Sequence, residues 1–517
     1  MNRSLQTVNI DVTKGLAQRR TSIARNSLWN LAGQIAPLLL AAFAIPILIR
    51  QLGVDRFGVL TLAWILVGYF SLFDLGIGRA ITKLLAEKIA LSDFESASSL
   101  IWTAMFSMVL LGIFFGTVLL GLAPWLSRSM LNIPPALQSE TLHSLPWLAV
   151  AVPFVTLTCG LRGILEAQQD FAAVNALRAG IGLVTYLGPL AVLPLSRSLF
   201  PVVITLAAAR VISCGLHFWV CRRRIPVFSL RVTWDRQAFR DLLEFGSWLT
   251  VSNIISPMMV YFDRFVIASL LSISAVAYYA APFDAVTKLW LIPSALAGVL
   301  FPAFSEALAV DNHDRASSLH EQSIASTLVI LFPLILVIVL FAPEGLRLWL
   351  GPIFASRSGV VLQILAIGVF TNSLANMPYA LLQASGRPDL TAKLHLVEVP
   401  CYLALLYWGI RTRGIEGAAI AWTSRLSIEA AVLFFLLRAI LAARLWITML
   451  VSTAILLIAC GIESLALKFV FLAVSLSVFA YAARSWILKD ILHLRLRSWI
   501  GAMRVLNQAK ARFAHLS

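Results

Sequence analysis

Charged side chains recur inside long apolar stretches of this sequence. The cations are Arg79, Arg162, Arg178, Arg210, Arg264, Lys288 and Arg425, and the carboxylates are Asp74, Asp263, Asp284, Glu398 and Glu429. An ionisable group surrounded by lipid is costly unless it is paired or reaches water. These residues are therefore the first candidates for chemistry in this chain.

Four of the cations are predicted to lie in a wet cavity and to meet an anionic ligand. They are Arg210, Lys288, Arg425 and Arg264. A cavity with excess positive charge suits a pyrophosphate or an acidic sugar, because guanidinium groups donate paired hydrogen bonds to such anions. Arg210 is the strongest single candidate, since no acidic residue lies three or four positions away on either side.

The carboxylates have two open interpretations. Asp263, Asp284, Glu398 and Asp74 could bind H⁺ or Na⁺ as a coupling ion, or they could pair with cations. Three acid–base pairs are spaced four residues apart: Asp284 with Lys288, Arg425 with Glu429, and Arg162 with Glu166. Groups at this spacing lie on one helix face and can neutralise each other. The sequence does not decide between ion coupling and pairing.

Other polar residues are interpreted as structural or surface residues. Arg79, Arg162 and Arg178 lie within about a turn of a predicted span end and are expected to reach the headgroups along their apolar stems. The seven histidines, His217 among them, have no metal-binding spacing and are interpreted as polar surface. The five cysteines have no CxxC spacing, so no metal site is predicted.

The elements that carry these charges must be membrane spans. Of 517 residues, 60% are hydrophobic and 13% are charged, whereas a soluble domain has about 25% charged residues. The net charge of +16 lies mainly in short segments between apolar stretches. That distribution is typical of the positive-inside rule and of attraction to anionic lipid, and not of nucleic-acid binding.

The chain is predicted to be an all-α integral membrane protein with about fourteen transmembrane helices of about 20 residues each. The predicted spans are 28–49, 58–82, 99–123, 144–166, 173–195, 200–220, 245–271, 276–304, 324–343, 359–383, 391–410, 414–437, 446–463 and 467–487. Lys and Arg concentrate on the side that holds the two ends of the chain. Both termini are therefore expected to be cytoplasmic.

An internal repeat organises these spans. A shift of 219 residues places Trp29 on Trp248 and Glu87 on Glu306. Six spans precede a basic linker, and six follow it up to about residue 440. An even number of spans per copy predicts two six-helix lobes in a parallel repeat, plus two C-terminal helices. The predicted divisions are a basic cytoplasmic tail 1–27, lobes 28–220 and 245–440 around the linker 221–244, the extra helices 441–487 and a basic tail 488–517.

Several pieces of the sequence resemble one family. They are Arg25–Gly33, Ile49–Gly58 with its Leu-Gly-x-x-x-Phe-Gly pattern, Phe73–Ala80 with Asp-Leu-Gly-Ile-Gly, Phe245–Trp248, Tyr261–Arg264 and Ala277–Ala281. Over roughly residues 20–440 the chain resembles the polysaccharide transporter family. These are the O-antigen and exopolysaccharide flippases of the multidrug/oligosaccharidyl-lipid/polysaccharide exporter superfamily. The resemblance implies two lobes around a central cavity.

The resemblance also implies a function. We expect a flippase that moves a lipid-linked oligosaccharide of the polyprenyl-pyrophosphate type across the bacterial cytoplasmic (inner) membrane by alternating access. Its partners would be that substrate, membrane lipids, and polysaccharide polymerase and chain-length machinery, and no nucleic acid. The alternatives are an ion-coupled drug antiporter of the same superfamily or a membrane polymerase or ligase. Enzymatic activity and cofactors are not expected, because there is no phosphate-binding loop and no long outer loop for a catalytic domain.

Overall fold

The computed structural model of the chain is built from α-helices. It describes residues 37, 39–69, 74, 76–91, 93–168, 170–225, 232–437 and 443–484. Every regular element within these ranges is a helix, which confirms the all-α prediction. Seven of the described helices are long and apolar enough to cross a membrane, and two shorter apolar helices accompany them. The total of about fourteen spans remains a prediction based on span length.

The helices follow one another with short connections. They are α1 (Leu39–Leu52), α2 (Val54–Tyr69), α3 (Ile77–Ala90), α4 (Phe94–Trp125), α5 (Pro135–Ala167), α6 (Phe171–Val192), α7 (Leu199–Arg224), α8 (Arg236–Leu270), α9 (Ile273–Thr287), α10 (Leu291–Ala309), α11 (His313–Leu340), α12 (Ala342–Leu350), α13 (Pro352–Ala384), α14 (Pro388–Leu436), α15 (Ala443–Ala459) and α16 (Leu465–Arg484).

Most predicted spans overlap these helices, although several helices begin five to eleven residues earlier than predicted, and span 276–304 is divided between α9 and α10 by the 3₁₀ turn Lys288–Trp290. Spans 173–195 and 200–220 correspond to α6 and α7. Helix α14 contains the predicted spans 391–410 and 414–437 and breaks between them, where Gly414 has φ +58°. That backbone conformation favours glycine. The two halves meet closely after the turn, because a Cβ on Gly417 would overlap the carbonyl of Gly409.

The predicted span 58–82 is not one continuous helix. The described part of α2 runs to Tyr69, and α3 begins at Ile77. Between them the Asp74 carboxylate accepts hydrogen bonds from the amides of Gly76 at 2.9 Å and Gly78 at 3.2 Å. Gly76 has φ +73°. The Asp-Leu-Gly-Ile-Gly piece is therefore a helix break with its own cap, satisfying amides that would otherwise lack partners.

The chain divides into two compact units. Unit 1 comprises Met1–Ala281 and His395–Ala418, and unit 2 comprises Pro282–Leu394 and Ala419–Ser517. The two-lobe repeat remains a prediction. The predicted tails 1–27 and 488–517 and residues 226–231 of the basic linker lie outside the described residues.

In unit 1, ion pairs hold both ends of the helices that carry the site. The Glu140 carboxylate near the start of α5 binds Arg56 Nε at 3.0 Å and the Ser198 hydroxyl at 2.7 Å, and it also accepts from the Leu199 amide. At the opposite end of α7, the Arg224 guanidinium pairs with Asp170, the N-cap of α6. These contacts fix α5, α6 and α7 around the space between them.

In unit 2, the last described helix, α16, contacts the rest of the unit through one buried cation and through aromatic rings. Lys468 Nζ on α16 lies 2.7 Å from Glu344 Oε1 on α12, and the Lys468 side chain is only 3% exposed. The ring of Phe479 lies 4.5 Å from that of Phe332, and Phe469 lies 5.2 Å from Phe341. Helix α16 thus packs on the rest of unit 2 through an ion pair whose ammonium group is buried.

The two partners of this ion pair are expected to respond unequally to replacement. Glu344→Ala leaves the buried ammonium of Lys468 without its carboxylate, which costs about 3–5 kcal/mol for a buried pair. Lys468→Met removes the buried charge and leaves a carboxylate whose side chain is 39% exposed. We expect a clearly lower thermal unfolding temperature for Glu344→Ala, a smaller loss for Lys468→Met, and partial recovery in the double variant. Equal losses in both single variants would contradict the assignment.

Candidate anion-binding cavity

Unit 1 contains a cavity of about 220 Å³ between α2, α5, α6 and α7. Three arginines and a histidine contribute to its wall. The lining residues are Val67, Gly68, Val155, Thr158, Cys159, Arg162, Val174, Arg178, Ile181, Arg210, Ser213 and His217.

The helical period explains why these residues meet. Helix α5 supplies residues 155, 158, 159 and 162, α6 supplies 174, 178 and 181, and α7 supplies 210, 213 and 217. Positions three, four and seven apart share one face of a helix. Each of the three helices therefore turns a single face toward the cavity, and each face carries one arginine.

The cavity wall is strongly basic. Among the described lining residues there is no carboxylate, and the charged ones are Arg162, Arg178 and Arg210. Arg162 Nε lies 3.6 Å from Glu166 Oε1, one turn further along α5. This contact confirms the predicted Arg162–Glu166 pair. Thr158 and Ser213 add hydroxyl groups. The Thr158 hydroxyl donates to the Phe154 carbonyl oxygen at 2.6 Å, so the guanidiniums are the main hydrogen-bond donors that the wall offers to an anion.

The structure places Arg210 on the wall of this cavity, and its contact with an anionic ligand stays a prediction. It also places Arg162 and Arg178 there, although the sequence analysis expected both to reach the headgroups. Arg178 is exposed and the Arg162 side chain is 42% exposed, so their expected reach to the headgroups stays a prediction beside their place in the cavity wall. The helical spacing of residues 174, 178 and 181, and of residues 158 and 162, was the sequence signal that the positions in each set share one helix face.

Arg264, predicted as a cavity cation, is fully buried inside unit 1 with Asp263. Its Nη1 lies 3.5 Å from Asp263 Oδ1 and 3.3 Å from the Val260 carbonyl oxygen, and its guanidinium lies over the Tyr261 ring. Tyr279 donates to Asp263 Oδ2 at 2.6 Å. In this conformation Arg264 and Asp263 have no exposed surface, and their contacts are those of a packed polar cluster.

The other predicted site residues are dispersed. Asp74 caps α3, and Glu398 lies 3.4 Å from His395 Nδ1 within α14. In unit 2, Lys288 is exposed at a 3₁₀ turn that follows α9, and Asp284 is half-buried one turn earlier. Arg425 is buried in the same unit. Roles for these residues in substrate binding or ion coupling remain predictions.

His217 was missed by the sequence analysis, which treated every histidine as polar surface. Its side chain is 4% exposed, it lines the cavity, and its Nδ1 lies 2.8 Å from the Ser213 carbonyl oxygen. The signal was its position seven residues after Arg210, on the same helix face.

Comparison with known proteins places the chain in a family. A family model described as "Polysaccharide biosynthesis protein" matches residues 47–356. A "Putative O-antigen transporter" from Shigella flexneri is 33% identical over 416 residues, which cover 80% of this chain and 97% of that protein. The chain belongs to the polysaccharide biosynthesis protein family. This confirms the family resemblance seen in the sequence.

Solved structures share the fold. The chain superposes on "Lipid II flippase MurJ, inward closed conformation" with a TM-score of 0.70, 12% identity, and coverage of 90% of this chain and 100% of that one. An inward-facing multidrug resistance MATE family transporter of the MOP superfamily gives a TM-score of 0.69, with 17% identity and coverage of 80% and 97%. At these identities the likeness establishes the fold alone. Together with its apolar helices, it makes this family member a multi-pass membrane protein.

Proposed function

We propose that this protein is a flippase for a lipid-linked oligosaccharide of the polyprenyl-diphosphate type. It would move the substrate across the bacterial cytoplasmic membrane, by alternating access, for export of O-antigen or exopolysaccharide. The observation that carries the proposal is the cavity lined by Arg162, Arg178 and Arg210 with no carboxylate among its described lining residues. Guanidinium groups are the side chains best suited to a diphosphate.

The size of the cavity indicates which part of the substrate it would hold. Pockets for drug-sized ligands measure about 300–1,000 Å³, and this cavity measures about 220 Å³. It suits a compact group such as the diphosphate joint between lipid and sugar. The name of the Shigella relative, an O-antigen transporter, agrees with such a substrate.

The alternatives fit the cavity less well. A drug antiporter for cations would need acidic or aromatic groups where this wall presents three guanidiniums, and like charges repel. A polymerase or ligase would need catalytic groups around a reacting bond. Among the described lining residues the one conventional base is His217, and no carboxylate of the wall orients it, because its Nδ1 contacts the Ser213 carbonyl oxygen. The coupling ion, H⁺ or Na⁺, and association with polymerase and chain-length machinery remain parts of the proposal.

Translocation can be measured with purified protein in liposomes. A polyprenyl-diphosphate oligosaccharide with a fluorescent sugar is placed in both leaflets, and a membrane-impermeant quencher is added outside. We expect the protein to make the inner-leaflet signal quenchable, whereas protein-free liposomes keep it. Efflux of a cationic dye by the same preparation, with no movement of the lipid-linked sugar, would favour the antiporter instead.

Orientation is tested by thiol labelling in a cysteine-free background. Trp234, which is 50% exposed just before α8, is predicted to face the cytoplasm, and Leu348, which is 87% exposed on α12, is predicted to face outward. An impermeant maleimide added to intact cells should label Leu348→Cys and spare Trp234→Cys until the membrane is opened. The reverse pattern would overturn the predicted cytoplasmic termini.

A further inference from the structure

The imidazole of His217 has one nitrogen engaged and one left for a ligand. Nδ1 lies 2.8 Å from the carbonyl oxygen of Ser213. A carbonyl only accepts hydrogen bonds, so Nδ1 carries the hydrogen in this contact. Nε2 of the neutral ring is then a lone pair on a side chain that forms part of the cavity wall.

The charged residues that line the cavity with His217 are all positive, and two nearby carboxylates, Glu166 and Asp74, lie outside this lining, close to Arg162. Helix α5 contributes Arg162 and the Cys159 thiol, α6 contributes Arg178, and α7 itself contributes Arg210, whereas α2 contributes only Val67 and Gly68. The carboxylate of Glu166 is held by Arg162. In the free cavity a proton on Nε2 would add a further positive charge to three guanidiniums.

A bound dianion reverses this balance. With two negative charges among the guanidiniums, a proton on Nε2 gains a charge-assisted hydrogen bond to a phosphate oxygen. The lone pair of a neutral ring would instead face a phosphate oxygen that has no hydrogen to donate. The ring is thus disfavoured as a cation before binding and favoured as one after it.

We propose that binding of a diphosphate diester in this cavity is linked to uptake of one proton by His217. The proton comes from solvent, an N–H bond forms at Nε2, and no other covalent bond changes. The inference rests on the proposed function, since it assumes that the cavity receives the diphosphate joint. By linkage, affinity rises as pH falls, up to about tenfold per pH unit for one linked proton.

The test is calorimetric titration of the full-length protein with P1,P2-dimethyl diphosphate, which remains a dianion throughout the neutral range. Titrations at one pH in two buffers of different ionisation enthalpy give the number of protons taken up on binding. We expect uptake approaching one proton in the unaltered protein. In His217→Gln, which keeps a neutral donor near Nε2, and in His217→Asn, which keeps one near Nδ1, we expect binding without uptake.

His143 provides a matched control, because its Nδ1 makes the same contact to a carbonyl four residues earlier, with Ser139 at 2.6 Å, on an exposed part of α5 outside the cavity. His143→Gln should leave proton uptake unchanged. Binding without uptake in the unaltered protein, or uptake that persists in both His217 variants, would overturn this inference and leave the flippase proposal standing. Failure of the unaltered protein to bind the dianion would overturn the cavity's role in the proton-uptake inference and in the flippase proposal.

Discussion

Arg210→Gln is expected to lower polymer export about tenfold to a hundredfold while the protein still inserts at its normal level. A hydrogen bond to a charged group is worth about 1.5–3 kcal/mol, which corresponds to such a factor. Arg210→Lys should retain part of the activity, because the charge remains while the paired donors of the guanidinium are lost. Export is measured as surface polysaccharide in a strain that lacks the native gene, and insertion is measured by quantitative blotting.

A matched control for Arg210 lies on the same helix. Arg223 stacks over the Trp219 ring at 4.6 Å near the end of α7 and does not line the cavity. Arg223→Gln removes the same charge from α7 and should leave export nearly unchanged. Equal export by the Arg210→Gln and Arg223→Gln variants would remove Arg210 from the site.

Gly58→Val is expected to abolish accumulation of folded protein. A Cβ at Gly58 on α2 would overlap the backbone carbonyl of Ile273 at the start of α9, and a backbone atom cannot move aside as a side chain can. Overpacking a well-packed contact costs about 1–3 kcal/mol, and the cost rises when the obstructing atom is backbone. Folded protein is measured by size-exclusion chromatography of a fluorescent fusion.

The control for this variant is Gly121→Val on α4, where an added Cβ meets no atom within 4 Å. That position is exposed on a long apolar helix, so the valine should be tolerated in lipid. If both valine variants accumulate equally, the close approach of α2 and α9 is not needed for folding.

The position of most helices could be predicted from the sequence, because spans of about 20 apolar residues separated by polar turns are a strong signal. The break in span 58–82 could not be predicted from hydropathy, since Leu75 and Ile77 keep that stretch apolar. The break depends on the two glycines at 76 and 78 and on the short reach of the Asp74 side chain to their amides. The same carboxylate had seemed a candidate for ion coupling, and in the structure its hydrogen bonds serve the backbone.

The cavity could be predicted only in part. Arg210 was recognised because no acidic partner lies nearby in the sequence, which is a property of a single helix. Arg162, Arg178 and His217 depend on how three helices rotate toward each other, and that rotation follows from packing and end contacts such as Glu140 with Arg56. Arg264 was predicted to line a cavity and is buried instead. The carboxylate of Asp263 pairs with it, and Tyr279 donates a hydrogen bond to that carboxylate, so the cation can lie in the protein core.

The three guanidiniums of the cavity also determine which anions bind there from the surrounding solution. Glu166 balances the charge of Arg162, and no carboxylate is among the described residues of the wall itself, so dissolved counter-anions must balance the remaining positive charge. Phosphate and sulfate resemble the proposed ligand in shape and charge, whereas chloride or acetate resemble it much less. Phosphate and sulfate in the buffer are therefore expected to compete with the substrate for the cavity. Once phosphate occupies the cavity, the apparent affinity for any diphosphate would fall in proportion to the phosphate concentration.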